Sequence, residues 1–90
     1  MKVLGHVNIF GRRFRVTEHR RLSADGRACD GLCLFRKAQI RLWRKREPHT
    51  DLHELIHACA EAVDFEMSER NTDLLARALW QAGVGVRYDA

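Results

Sequence analysis

The chain has 90 residues and carries 16 Lys and Arg against 12 Asp and Glu, for a net charge of +4 at pH 7. A domain of this size buries only about 60 percent of the surface of its unfolded chain, which excludes the two-lobed cleft of large hydrolases. No stretch is apolar enough to span a membrane, and polar residues interrupt the N-terminal apolar run that a signal peptide requires, so we expect one cytoplasmic domain over residues 1–90 without membrane contact.

The first half of the chain is typical of β-structure. Two apolar runs flank Gly11-Arg12 and predict a hairpin, and a second hairpin follows in which Ile40 and Leu42 alternate with polar residues. Residues 23–26 predict a turn between the two hairpins. The predicted strands are residues 7–10, 13–17, 32–35 and 39–43, with a further strand at residues 84–88.

The second half predicts two helices. Thr50, after Pro48, is the expected N-cap of the first helix, and Ser68 that of a second helix running to about Gln81. Strands followed by helices indicate an α+β domain, with a small and mainly antiparallel sheet packed against two C-terminal antiparallel helices. The apolar stripes expected to face the core are Leu52, Leu55, Ile56, Cys59 and Val63 in the first helix, and Leu74, Leu75, Ala78, Leu79 and Ala82 in the second.

The pentapeptide His53-Glu54-Leu55-Ile56-His57 lies in the first predicted helix, and its two histidines fall outside the apolar stripe. Residues four apart share a helix face, so His53 and His57 can bind one ion, and this spacing is typical of a zinc site. Glu54 projects about 100° away around the helix. We therefore expect it to act as a base on a water molecule activated by the zinc rather than as a ligand.

A catalytic zinc takes a third protein ligand and keeps one position for water. The acidic residues at the start of the second helix are Glu66, Glu69 and Asp73. We expect Glu69 to be the ligand and Asp73 to accept the free N–H of a ligating His. The alternative is that these acids only stabilise the helix N-terminus through its dipole.

These residues resemble two groups of known proteins. The His-Glu-x-x-His helix followed by Glu69 and Asp73 resembles the gluzincin metallopeptidases, which implies that Glu69 is a ligand and that Asp73 supports a His. The chain is also similar to small zincin-like proteins of bacteriophages and prophages over about residues 25–88, which implies a minimal zincin-like fold in a host cytoplasm. The residues that carry the second resemblance are Gly26, Cys29, Asp30, residues 52–58, Leu79, Trp80 and Gly83.

The first functional hypothesis is a zinc metallopeptidase, or more generally an amide hydrolase. Zinc on His53, His57 and Glu69 would activate a water molecule, with Glu54 as the general base. A peptide or protein substrate would lie along the exposed edge of the sheet. The residues considered for stabilising the oxyanion are His49 and Tyr88.

The second hypothesis is a zinc-stabilised binding module without turnover, which contacts a protein or nucleic acid. Residues 1–47 carry 13 Lys and Arg against 4 Asp and Glu, whereas residues 48–90 carry 3 against 8. Arg41, Arg44, Lys45 and Arg46 surround Trp43 and could contact phosphates and a base. The alternative for these arginines is a solvated strand face. The three cysteines are expected to be reduced, with Cys59 buried.

Overall fold

The computed structural model describes all 90 residues and contains six β-strands and two α-helices. Strands occupy the first half and helices the second, and the predicted α+β class is confirmed. The elements are β1 (Lys2–Ile9), β2 (Arg12–His19), β3 (Ser23–Ala24), β4 (Arg27–Ala28), β5 (Gly31–Leu34), β6 (Gln39–Trp43), α1 (Thr50–Ala62) and α2 (Glu69–Gln81). Neither helix has the length and apolar character needed to cross a membrane.

The main sheet has four strands in the order β1-β2-β6-β5. β1 and β2 form an antiparallel hairpin, as do β5 and β6, and both hairpins were predicted. The inner strands β2 and β6 run parallel, so their carboxyl ends lie side by side. β3 and β4 form a separate small hairpin around the predicted turn. β1 and β5 are therefore the two edges of the main sheet.

The core lies between one sheet face and α1. In β2 and β6, alternate residues are buried, which gives Phe14, Val16, Ile40 and Leu42 a common face. Ala58 of α1 belongs to the same buried cluster. The alternation predicted for β6 is confirmed, and α1 is held over the sheet by this contact.

The helix boundaries agree closely with prediction, but one cap differs. Ser68 caps α2, because its Oγ accepts a hydrogen bond from the backbone N–H of Asn71 at 3.0 Å. Thr50 is instead the first helical residue of α1 and is buried, and His49 occupies the cap position without a side-chain hydrogen bond. The predicted N-cap at Thr50 was therefore one residue late.

The buried faces of both helices agree only in part with the predicted stripes. In α1, Leu52 is buried and Leu55 packs against the core as predicted. α1 packs on the core through Leu55, Ala58 and Ala62, so Cys59, about 100° further round the helix, is exposed and the prediction that it is buried was wrong. In α2 the buried residues are Thr72 and Ala76, whereas Leu74 is 52% exposed. The reason is that α2 packs mainly on α1, and small residues allow that close approach.

The predicted strand at residues 84–88 does not form. The nearest pairing lies just beyond this segment, in an antiparallel bridge between His6 and Asp89 with backbone hydrogen bonds of 2.7 and 2.9 Å. Val86 and Tyr88 instead pack against the hydrophobic core, and the Tyr88 hydroxyl donates to Asp51 of α1. Side-chain contacts with the core and α1 therefore hold this segment, rather than a backbone ladder with β1.

Candidate metal centre

α1 and the start of α2 bring three possible ligand atoms together. α1 places His53 and His57 one helical turn apart, with their Nε2 atoms 3.1 Å from each other. The chain reverses after α1, and the first residue of α2 is Glu69. Its Oε2 lies 3.1 Å from His53 Nε2, and its Oε1 lies 2.5 Å from His57 Nε2.

This cluster fits a metal ion. An ion bound tetrahedrally at about 2.0 to 2.1 Å from each ligand would separate the ligand atoms by about 3.3 Å. The ligand atoms of His53, His57 and Glu69 all lie within 4.8 Å of one another, which is compatible with that arrangement. These three residues, which include the expected Glu69, can therefore hold a metal ion. Glu66, the other acid considered, lies in the same cleft but outside this group.

Asp73 sets the orientation of His53. Its Oδ1 lies 3.1 Å from His53 Nδ1 and 2.8 Å from His49 Nε2, and its Oδ2 accepts a hydrogen bond from Arg77 Nε at 2.8 Å. Burial raises the pKa of Asp73, but hydrogen bonds from His49, His53 and Arg77 outweigh it and lower the pKa to about 2. An ionised Asp73 requires a proton on His53 Nδ1, which leaves the Nε2 lone pair directed at the cluster.

Glu54 lies in the same cleft but is buried. Only 6% of the residue is exposed. Burial raises the pKa of Glu54 to about 7, against the opposing charge of His53 and with a smaller contribution from Glu69. A cation held nearby would oppose this rise, because it favours the ionised carboxylate. A carboxylate out of bulk water and beside residues that can hold a metal ion is placed to exchange protons there.

Gly31 contacts Glu54, although sequence patterns did not single it out. A Cβ on Gly31 would lie 2.9 Å from Glu54 Oε2. The available signal was a glycine beside a predicted strand, which often marks the close approach of another group. Gly31 begins β5 and so joins the edge strand to the candidate site.

The cleft has a volume of about 500 Å³ and runs between β5 and the turn that joins the helices. The backbone N–H of Trp43 in β6 donates to the carbonyl of Asp30 at 2.7 Å, so the backbone groups of Asp30 face β6. Along a strand, successive residues direct their backbone N–H and C=O groups to opposite sides, so those of the next residue face away from β6. Gly31 and Cys33 therefore direct their N–H and C=O groups away from β6, toward the open edge. An unpaired edge of this kind accepts a further extended segment.

The two residues considered for oxyanion stabilisation do not line the cleft. His49 Nε2 lies 2.8 Å from Asp73 Oδ1, the same oxygen that contacts His53 Nδ1. The Tyr88 hydroxyl donates to Asp51, whose carboxylate also binds Arg46. The structure thus gives His49 a contact with Asp73, and Tyr88 a contact that links the C-terminal segment to α1.

Cys33 also lines the cleft. Burial, with the charge of Glu54 adding to it, raises the pKa of the Cys33 thiol to about 12. Cys29 lies nearer the surface, and burial followed by the charge of Glu54 also raises its pKa. Neither cysteine belongs to the group of side chains whose ligand atoms converge.

No family model, curated protein or solved structure matches this chain. The features that bear on function are geometric: three converging ligand atoms, a buried carboxylate beside them and an open strand edge.

Proposed function

We propose that this protein is a zinc-dependent peptidase in which His53, His57 and Glu69 hold the zinc and Glu54 is the general base. The observation that carries the proposal is the convergence of the three ligand atoms in one cleft with the buried Glu54 carboxylate. Two imidazoles and one carboxylate are a ligand set of catalytic zinc. The Glu69 side chain is 76% exposed, which leaves the solvent side of the centre accessible to a substrate.

The chemistry follows from the positions of these side chains. Zinc, when bound, supplies Lewis-acid polarisation of the scissile carbonyl and activates a water molecule. Glu54 accepts a proton from the attacking water and passes it to the leaving nitrogen, so that the C–N bond breaks and a carboxylate and an amine are formed. Asp73 holds the His53 ring in place throughout.

The substrate proposed for this site is an extended peptide paired with the outer edge of β5. Gly31 and Cys33 offer their backbone N–H and C=O groups on that edge, and main-chain hydrogen bonds of this type accept many side-chain sequences. The cleft continues from β5 to the residues of the turn after α1, including Phe65 and Met67. These two side chains provide an apolar wall for a substrate side chain next to the scissile bond.

The decisive variant is Glu54→Gln, which keeps the size of the side chain and removes its basicity. We expect it to retain one zinc ion per chain and to lose about 100-fold to 10,000-fold in peptide turnover. Glu66→Gln is the matched control, since Glu66 lines the same cleft but is exposed. A Glu54→Gln protein as active as the wild type would remove the proposed base.

A second function, a zinc-stabilised binding module without turnover, is favoured by the weak burial of α2. Thr72 and Ala76 are the only buried residues of this helix, so an ion shared with α1 through Glu69 would add much to its attachment. Thermal melting with and without a chelator separates the two functions. Loss of the fold on chelation supports the binding module, whereas an intact apo fold that regains zinc supports the peptidase.

We also propose kinship with gluzincin metallopeptidases and with the small zincin-like proteins of bacteriophages and prophages. The support is the order of the site residues along the chain together with the contacts of the later pair, since Glu69 approaches both histidines and Asp73 contacts His53. Stoichiometric zinc in the purified protein is the first requirement of this assignment.

A further inference from the structure

Four basic side chains surround Trp43 at the ends of the two inner strands. Arg20 and Arg21 follow β2, and Arg44 and Lys45 follow β6. Because β2 and β6 are parallel neighbours, these residues emerge at the same end of the sheet, where the Arg44 N–H donates to the His19 carbonyl at 2.8 Å. The basic cluster, defined as Arg20, Arg21, Trp43, Arg44 and Lys45, lines a cavity of about 530 Å³.

The positive charges of the basic cluster are not neutralised within the protein. All four cationic side chains are exposed, and the ion pairs formed by Lys and Arg in this structure involve only Arg46 and Arg77. Four like charges around one recess create a positive potential that attracts an anion. The ligand of this cavity should therefore be negatively charged.

Trp43 adds an aromatic surface beside these charges. Its Nε1 donates to the Arg20 carbonyl at 3.0 Å, which fixes the orientation of the ring. With Arg20 and Arg21, it also lines a neighbouring cavity of about 460 Å³ that includes Leu22 and Ala28. A cationic recess and a more apolar recess thus share one ordered indole.

We propose that the basic cluster binds single-stranded nucleic acid, a function separate from the peptidase site. The backbone phosphates lie against Arg20, Arg21, Arg44 and Lys45, and one base enters the neighbouring recess beside Trp43. Cations that follow a backbone and an aromatic ring that stacks on a base are the two components of single-strand binding. A duplex keeps its bases stacked inside, and a lipid surface offers no planar group for a concave recess.

The structure changes the set of arginines that sequence indicated for this role. Arg46 forms ion pairs with Glu18 at 2.8 Å and with Asp51 at 2.5 Å, and is therefore not free to bind phosphate. The Arg41 guanidinium donates to Gln39 at 3.1 Å on the neighbouring part of β6. Arg20 and Arg21, distant from Trp43 in sequence, take their places.

The test measures binding of a fluorescein-labelled 20-nucleotide oligo-dT to the full chain by fluorescence anisotropy at several salt concentrations. The combined variant Arg20→Gln, Arg21→Gln, Arg44→Gln should weaken binding at least tenfold and reduce the slope of log K against log salt by about 0.7 for each phosphate contact removed. Trp43→Leu should weaken binding about tenfold and leave the salt slope unchanged, because stacking releases no counterions.

The matched control is the combined variant Arg15→Gln, Arg36→Gln, Arg87→Gln, which removes the same charge from exposed positions elsewhere. It should bind like the wild type; equal weakening in both triple variants would show general charge attraction and overturn the proposal. Tighter binding to a duplex of the same length, or to phosphatidylserine vesicles, would also overturn it. If Trp43→Leu fails to fold, the Arg20, Arg21, Arg44 variant still decides, because its substitutions are at exposed positions. Wild-type affinity and salt slope in that variant would reject the site.

Discussion

Gly31 lies directly against the side chain of Glu54, so that a methyl group on residue 31 would come within 2.7 Å of Glu54 Cγ. The backbone of Gly31 does not have the left-handed conformation that favours glycine. The glycine is required by the space that the Glu54 side chain occupies. The edge strand and the proposed base therefore position each other.

This contact predicts a specific defect in Gly31→Ala. The added methyl group must displace the Glu54 side chain or move β5, and we expect a loss of about 1 to 3 kcal/mol in the free energy of unfolding. Displacement of the carboxylate by about 1 Å should also lower turnover about 100-fold while zinc remains bound. Urea unfolding and zinc content measure the two parts separately.

The control for this prediction is Gly31→Ala in a protein that lacks the Glu54 carboxylate. In a Glu54→Ala background the three atoms nearest to the methyl group added at position 31 are gone, so Gly31→Ala should cost much less there. The double-mutant cycle isolates the coupling between the two positions. An equal cost of Gly31→Ala in both backgrounds would mean that the strand, not Glu54, rejects the side chain.

The hydrogen bond between Asp73 and His53 predicts a loss of zinc affinity in Asp73→Ala. Without the acceptor, His53 is free to rotate and to carry its proton on Nε2, where the metal must bind. We expect the dissociation constant for zinc to rise about tenfold to 100-fold. Competition with a chromophoric chelator at constant pH measures it.

Arg77→Ala is the matched variant for Asp73, because it removes another partner of the same carboxylate without touching His53. An exposed ion pair between residues four apart is worth only about 0.3 to 0.5 kcal/mol, so its effect on zinc affinity should be small. Unchanged affinity in Asp73→Ala would show that the His53 ring is held by its other contacts.

Part of the candidate site could be predicted from local sequence patterns. A helix places residues 53 and 57 on one face whatever surrounds it, so the His pair and the position of Glu54 follow from spacing alone. The short turn before Ser68 similarly returns Glu69 and Asp73 to the first helix. The strand pairs joined by tight turns were predictable for the same reason: the partners are close in sequence.

Contacts between distant segments could not be predicted in this way. The parallel pairing of β2 with β6 joins residues far apart in the chain, and it determines that Arg20 and Arg21 lie beside Trp43. The approach of Gly31 to Glu54 likewise depends on how α1 packs over β5. Helical periodicity identified apolar residues but not the rotation of each helix, which is why Cys59 was assigned to the core.

The β1–β2 turn predicts a stabilising substitution away from the site. Phe10 has a φ of +51° and Gly11 a φ of +79°, and the Phe10 residue is 83% exposed. A non-glycine residue in this left-handed conformation is strained by about 1 to 2 kcal/mol, and Asn tolerates it best. Phe10→Asn should therefore raise the free energy of unfolding by about 0.5 to 1 kcal/mol.

Phe10→Ala is the comparison for this turn. It removes the same exposed ring but keeps a side chain that disfavours the left-handed conformation, so it should not stabilise the protein. The urea unfolding midpoints of the wild type, Phe10→Asn and Phe10→Ala measure the difference. If Asn and Ala give equal midpoints, relief of backbone strain is not the cause.

The contact between Tyr88 and Asp51 predicts a loss of stability at alkaline pH. Burial, with the hydrogen bond to Asp51 adding to it, raises the pKa of Tyr88 well above its usual value. The pKa of Tyr88 in the unfolded chain is about 10. Below that pH the stabilisation that goes with the raised pKa of the folded state is complete, and it is lost as the pH rises above about 10. Stability should then fall by roughly 1 kcal/mol per pH unit from this group, allowing for its partial exposure.

Tyr88→Phe separates this contribution from those of other groups. The variant should be less stable than the wild type by about 1 kcal/mol at pH 7, because the hydrogen bond to Asp51 is gone. Between pH 10 and 11 the difference should shrink, since only the wild type has a phenol at position 88 that ionises on unfolding. Cys33 titrates in both proteins and cancels in the comparison. A difference that stays constant between pH 7 and 11 would mean that the pKa of Tyr88 is the same in the folded and unfolded states, which contradicts the prediction.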